Sequence, residues 1–134
     1  MGVIYFPSWL VFSHVDENGE NTIRKWLDQN GVSSALRSTF QTWISLIEHN
    51  GPLSVPGVIV RVSDDLEAFK LVRKGEPHVY VIFCRGLRRD SEITLLAGAY
   101  RPKDALAEAR RNRGAIERDF LRRRRREPVT RRVA

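Results

Sequence analysis

Three side chains suited to gripping an anion stand together where an apolar run gives way to a helical pattern. They are Tyr100, Arg101 and Lys103, within "EITLLAGAYRPKDALAEARRN" (residues 92–112). A cation at the start of a helix works against the helix dipole, so Arg101 and Lys103 are better explained by a bound anion than by helix stability. The plainer reading makes Tyr100 a packing residue at a strand end and the two cations a solvated helix start. His78 opens another apolar run, and an ordinary imidazole pKa of ~6.5 lets it exchange protons near neutrality. His49 stands near the end of a helical pattern, where a cation is favoured for dipole reasons alone. His14 lies in a loop with no identifiable partner. Cys84, the single cysteine, sits in an apolar run and reads as a packing residue rather than a nucleophile.

The charge of the chain is uneven. Residues 1–100 hold ten Lys/Arg against eleven Asp/Glu, whereas 101–134 hold thirteen against five, so the net +7 belongs to the last quarter. A block of that kind attracts phosphates, acidic protein surfaces or anionic lipid, and nucleic acid ranks first among them. A hydrophobic content of 42% with 29% charged residues is that of a globular protein and excludes a disordered chain. No apolar run approaches the ~20 residues of a membrane span. The opening "MGVIYFPSWLVF" lacks the basic region and cleavage site of a secretory signal, so we expect a cytoplasmic protein with no membrane partner. One cysteine fits a reducing compartment.

The elements that position these residues follow from periodicity. "VIYFPSWLVF" is β-branched and aromatic with a proline inside, which predicts an edge strand. Ile23, Trp26 and Leu27 recur at helical spacing after a cap at Asn21 or Thr22, and Asn30-Gly31 ends that helix. A second helix starts near Ser33 or Ser34 and runs to Asn50-Gly51-Pro52, burying Leu36, Phe40, Trp43, Ile44 and Ile47; both tryptophans read as core. Four strand patterns follow at 58–62, 68–73, 78–84 and 92–100, joined by turn-rich connectors that favour an antiparallel meander. Helical period returns past Pro102, with Leu106, Ala109, Ile116 and Phe120 on one face. Five consecutive arginines then predict a frayed helix end and a disordered terminus.

In that order, the segments "NGENTIRKWLDQN", "IEHNGPLSVP", "DDLEAFKLVRKG", "VYVIFC" and above all "ITLLAGAYRPKDALAEARRN" resemble the RelE/ParE superfamily of type II toxin–antitoxin toxins, in its HigB-like, phage-derived branch. The likeness covers roughly residues 3 to 118. It implies an α+β, RelE-like fold: an N-terminal strand, a two-helix hairpin, a curved antiparallel sheet of three or four further strands and a C-terminal helix. The toxin domain would be 1–120 and the arginine-rich tail 121–134. The implied activity is a ribosome-dependent mRNA endonuclease that uses the 2′-hydroxyl as nucleophile, needs no metal or other cofactor and is restrained by a cognate antitoxin, a small helix-turn-helix protein.

Matching segments carry over Lys70, Arg73, Lys74, Tyr100, Arg101 and Lys103. With His78, the one histidine in the candidate site strands, Lys70, Tyr100 and Arg101 are the catalytic candidates; Arg73, Lys74, Lys103, Tyr80 as a stacking ring, and Arg122, Arg123 and Arg124 of the arginine run are the RNA-binding ones. Cleavage of this kind needs a proton removed from the 2′-oxygen, charge on the phosphorane neutralised and the 5′-oxygen protonated. Lys70 suits the base, since neighbouring cations lower a lysine pKa; His78 suits base or acid; Arg73 and Arg101 suit phosphate oxygens. Strand alternation puts Lys70 with Val72 and opposite Arg73, and puts His78 with Tyr80. The family often has an arginine in a "YRxxY"-like strand, where this chain has Val79 or Tyr80. A non-catalytic binder of RNA, ribosome or a host protein on the same fold is therefore the alternative, and a ParE-like gyrase inhibitor shares the fold too.

Overall fold

The computed structural model describes residues 9–55, 57–118 and 125–129. Helix α1 (Thr22–Gln29) begins where Asn21 keeps extended backbone and its side-chain oxygen accepts a hydrogen bond from the Arg24 N–H. Ser33 repeats the device on the Leu36 N–H and opens α2 (Ser34–Asn50), whose Leu36, Phe40, Ile44 and Ile47 are buried. Trp26 and Trp43 pack half-buried at the margin of the same core. His49 is in the last turn of α2, with Nδ1 2.8 Å from the Ser45 carbonyl oxygen.

The strands are β1 (Leu10–His14), β2 (Ile59–Arg61), β3 (Glu67–Leu71), β4 (Val79–Arg85), β5 (Glu92–Ala99) and β6 (Arg126–Pro128). A 3-10 turn, Pro102–Ala105, leads into α3 (Leu106–Arg118). Among the described residues the chain is thus an α+β protein with three α-helices and one mixed six-stranded sheet, ordered β2-β3-β4-β5-β1-β6. The meander β2 to β5 is antiparallel, as periodicity predicts.

β1 departs from the expected edge strand. It lies inside the sheet, parallel to β5 (Val11↔Ile93) and antiparallel to β6 (Phe12↔Pro128). The long connection through α1, α2 and three strands gives the chain room to return alongside its own start in the same direction. The proline that suggested an edge, Pro7, falls outside the described residues.

Each sheet face carries its own core. α1 and α2 cover Val11, Phe69, Leu71, Val79, Val81, Phe83, Ile93 and Leu95. α3 covers Ile82, Cys84, Leu96, Ala97 and Ala99 with Ala105, Ala109 and Ile116. All eight residues of β5 are buried, because it has a helical layer on both sides. Burial pushes the Cys84 thiol up to about 11, which keeps it protonated and suits packing rather than nucleophilic attack.

β5 also carries a bulge. Ile82 pairs with Ala97 but Phe83 pairs with Leu95, leaving Leu96 as the extra residue. Its carbonyl accepts a hydrogen bond from the side chain of buried Asn112 at 2.8 Å, which ties α3 to the sheet. Past the bulge, Ala97 and Ala99 face α3 while Gly98 faces α1. A Cβ at position 98 would meet the Trp26 ring at 2.6 Å, so only glycine allows this approach.

The frayed helix end predicted from the arginine run is corrected at Arg126–Pro128, which forms β6; the last residues, 130–134, lie outside the described residues. Arg122, Arg123 and Arg124 lie outside the described residues. Glu92, 1% exposed, requires a cation in the core. Arg126 supplies it, with Nη1 2.8 Å from Oε1; it also donates to the Thr94 hydroxyl and stacks its guanidinium 4.0 Å over the Phe12 ring. No described helix is long and apolar enough to cross a membrane.

Removing one member of a buried ion pair strands the other charge, at a cost of about 3–5 kcal/mol. We predict a loss of that size for Arg126→Ala in urea unfolding. A change below about 1 kcal/mol, the range of a surface pair, would show that β6 does not hold the sheet.

Candidate functional site

The register brings two of the sequence candidates, Lys70 and Tyr80, side by side at one end of the sheet. Lys70 on β3 pairs with Tyr80 on β4, and Tyr80 pairs with Ala99 on β5. Cross-strand partners share a face, so Lys70 and Tyr80 stand side by side, both half-buried, on the side of the sheet that α3 covers. One row further out, His78 lies two residues before Tyr80 and Arg101 two residues after Ala99. Arg101 itself keeps extended backbone (φ −133°, ψ 124°) after the chain bends away from the end of β5. There the Asp104 carboxylate holds Arg101 Nε at 2.9 Å. His78 is exposed beside this row.

The remaining candidates divide by place. Lys103 is exposed on the 3-10 turn next to Arg101. Arg73 and Lys74 lie beyond the end of β3, in its turn to β4, and Arg73 Nε is 3.2 Å from Glu76. Ending the strand at Leu71 frees Arg73 from strict alternation with Lys70. Lys70, Lys74 and Lys103 have no carboxylate partner among the described residues.

Tyr100 does not join this group. The bulge at Leu96 shifts the alternation, so Tyr100 follows Gly98 toward the helix hairpin. Its ring lies 5.2 Å from that of Trp26, and its hydroxyl donates to the Asn30 carbonyl at 3.3 Å. The packing reading of Tyr100 describes that position; the catalytic one requires the other face.

Two clefts lie elsewhere. The larger, about 550 Å³, is lined by Arg61, Arg85 and Arg113 with Asp64, Asp65 and Glu67. Its charges are spent on one another: Arg85 on Glu67 at 2.6 Å, Arg113 on Asp65 at 3.4 Å and Arg61 on Asp64 at 4.0 Å. These pairs brace the β2–β3 hairpin against β4 and α3.

The smaller cleft, about 330 Å³, lies between the end of β1 and the second half of α3, and sequence reasoning missed it. It is lined by His14, Asp16, Arg111, Asn112, Arg118 and Arg125, among others. His14 is no loop residue: it ends β1 and is 2% exposed. Its Nδ1 lies 2.6 Å from the Thr22 hydroxyl, while its buried Nε2 has no hydrogen-bond partner. An unpaired buried polar group of this kind costs roughly 1–3 kcal/mol. The signal available in the sequence was the i, i+7 spacing of Arg111 and Arg118, which puts both on one helix face.

Compared with known protein-family models the chain matches none, and no curated protein matches it.

Burial, with the nearby Arg125 charge, pushes the His14 imidazole down to about 4, and Asp16 offsets only part of this. An unfolded histidine takes its proton near pH ~6.5, so the unfolded chain binds more protons below that value. Stability from the neutral ring is therefore whole above about pH 6.5 and lost toward pH 4, by roughly 3 kcal/mol in all. We predict an NMR midpoint for the His14 ring near 4 and a flatter pH-stability slope in His14→Gln; a midpoint near ~6.5 would contradict the assignment.

Proposed function

We propose that this chain is a RelE/HigB-like toxin of a type II toxin–antitoxin system, acting on mRNA in the ribosome as an endonuclease. The element order supports the reading: a strand, a helix hairpin, an antiparallel meander whose last strand returns beside the first, and a helix after the basic junction. The single observation that carries it is the Lys70–Tyr80 cross-strand pair, with His78 just before β4 and Arg101 just after β5 in the chain. In this reading the ends of three strands supply a base, a proton donor, a phosphate ligand and an aromatic ring.

In this reading Lys70 removes the proton from the 2′-hydroxyl as its oxygen attacks the adjacent phosphorus. Arg101, fixed by Asp104, neutralises the charge that builds on the phosphate oxygens. His78 gives a proton to the departing 5′-oxygen, leaving a cyclic phosphate. Tyr80 stacks on a base, a contact worth about 1–3 kcal/mol and indifferent to sequence. The ribosome supplies the substrate's path, and the restraining partner is an antitoxin, a helix-turn-helix protein placed over the same basic end.

A second reading, a non-catalytic RNA or ribosome binder, is favoured by one observation. Where the resembled family often carries an arginine this chain has Val79 or Tyr80; Val79 is 2% exposed and belongs to the hairpin core, and Tyr80 is no cation, so β4 offers the site no arginine. Arg73 and Arg101 are also both paired with carboxylates.

We predict that induced expression in bacterial cells stops growth and shortens translated mRNAs. Lys70→Ala with Arg101→Ala should lower cleavage by about 100-fold or more with the fold retained. Full toxicity in the double variant would remove the site assignment. Arrested growth with intact transcripts would replace the nuclease with the binder.

A further inference from the structure

The smaller cleft is lined by Arg111, Arg118 and Arg125, and two of these have no carboxylate partner among the described residues. Arg111 and Arg118 lie two turns apart on α3, both exposed, and neither has a carboxylate partner among the described residues. Arg125 arrives from the opposite side, just before β6, with its Nε donating to the Val15 carbonyl at 3.2 Å. Of the acidic groups at the cleft, Asp16 is already engaged. It accepts hydrogen bonds from the Asn18 and Glu20 N–H groups at 2.9 and 3.0 Å and faces Lys25 at 3.7 Å. Glu17 is exposed. At the cleft wall is His14, buried with Nε2 unpartnered. A neutral ring that accepts the Thr22 hydroxyl proton at Nδ1 carries its one N–H on Nε2. Two exposed guanidiniums without a carboxylate among the described residues, a third from Arg125 and, in that tautomer, a buried Nε2–H are the complement of a small tetrahedral anion.

We propose that this cleft is a phosphate-binding site, in which Arg111, Arg118, Arg125 and the His14 Nε2–H hold one backbone phosphate of an RNA. It is separate from the Lys70 end of the sheet and rests on the RNA reading only for the source of the phosphate. The neutralised cleft of Arg61, Arg85 and Arg113 is the internal contrast: similar cations, each with a carboxylate, and no surplus charge to offer. A phosphate here also gives α3 and β1 a common ligand, fixing the helix that follows the 3-10 turn of Lys103 and Asp104.

The test uses the full chain and NMR of the His14 ring, with inorganic phosphate and then a short poly-uridine RNA as probes. Both should shift the Nε2 signal, and phosphate should raise the ring pKa, because an anion beside the ring favours its charged form and offsets Arg125. Arg111→Ala with Arg118→Ala changes two exposed helix positions to the best helix former and should weaken phosphate binding about tenfold or more. Arg110→Ala removes the same charge from the other side of α3 and should leave it unchanged. No response of His14 to phosphate, or equal weakening in Arg110→Ala, would overturn the site. RNA binding that leaves His14 unmoved would overturn its assignment to a backbone phosphate. These readouts are independent of mRNA cleavage, so the site and the nuclease can fail separately.

Discussion

Everything in this molecule is registered on a strand that has no exposed side. β5 is buried along its whole length, covered by α1 and α2 on one face and by α3 on the other, with β4 and β1 as neighbours. A strand so enclosed cannot slip, because a shift of one residue would exchange the contents of two different cores. The bulge at Leu96 is the one place where its alternation changes, and Asn112 secures that place from α3. Downstream, Gly98 lets Trp26 approach the backbone, and Ala99 leaves the face beside Tyr80 uncrowded. The basic end of the sheet and the cleft beneath α3 both take their positions from this arrangement.

Much of the architecture was legible because it depends on local chemistry. Asn21 and Ser33 act as caps through their own side chains, and the stripe Leu36, Phe40, Ile44, Ile47 needs only helical spacing to be seen. The four meander strands were legible from short apolar runs between turn residues. What escaped depended on partners distant in sequence. A strand does not announce that it will be parallel to another some 80 residues away, as β1 is to β5. Nor does an arginine run reveal that its last member will pair with a glutamate buried 34 positions earlier, as Arg126 does with Glu92.

The site shows the same division. Lys70 and Tyr80 were legible as neighbours once their strands were recognised, because regular antiparallel pairing fixes shared faces. Tyr100 was not, since one bulge reverses the face that alternation assigns. His14 was misjudged because Thr22, Asn112 and Arg125, which surround it, come from three other parts of the chain. Electrostatics then separates structure from function across the surface. Where Arg61, Arg85 and Arg113 meet carboxylates they brace the hairpin; Lys70, Lys103, Arg111 and Arg118 meet none among the described residues.

The central claim is that the end of the sheet marked by Lys70 and Tyr80 grips RNA. Photo-crosslinking from a benzophenone side chain installed at position 80, in cells expressing the chain, tests it most directly. The account predicts an adduct to messenger or ribosomal RNA that nuclease treatment collapses. Adducts confined to protein and resistant to nuclease would contradict it.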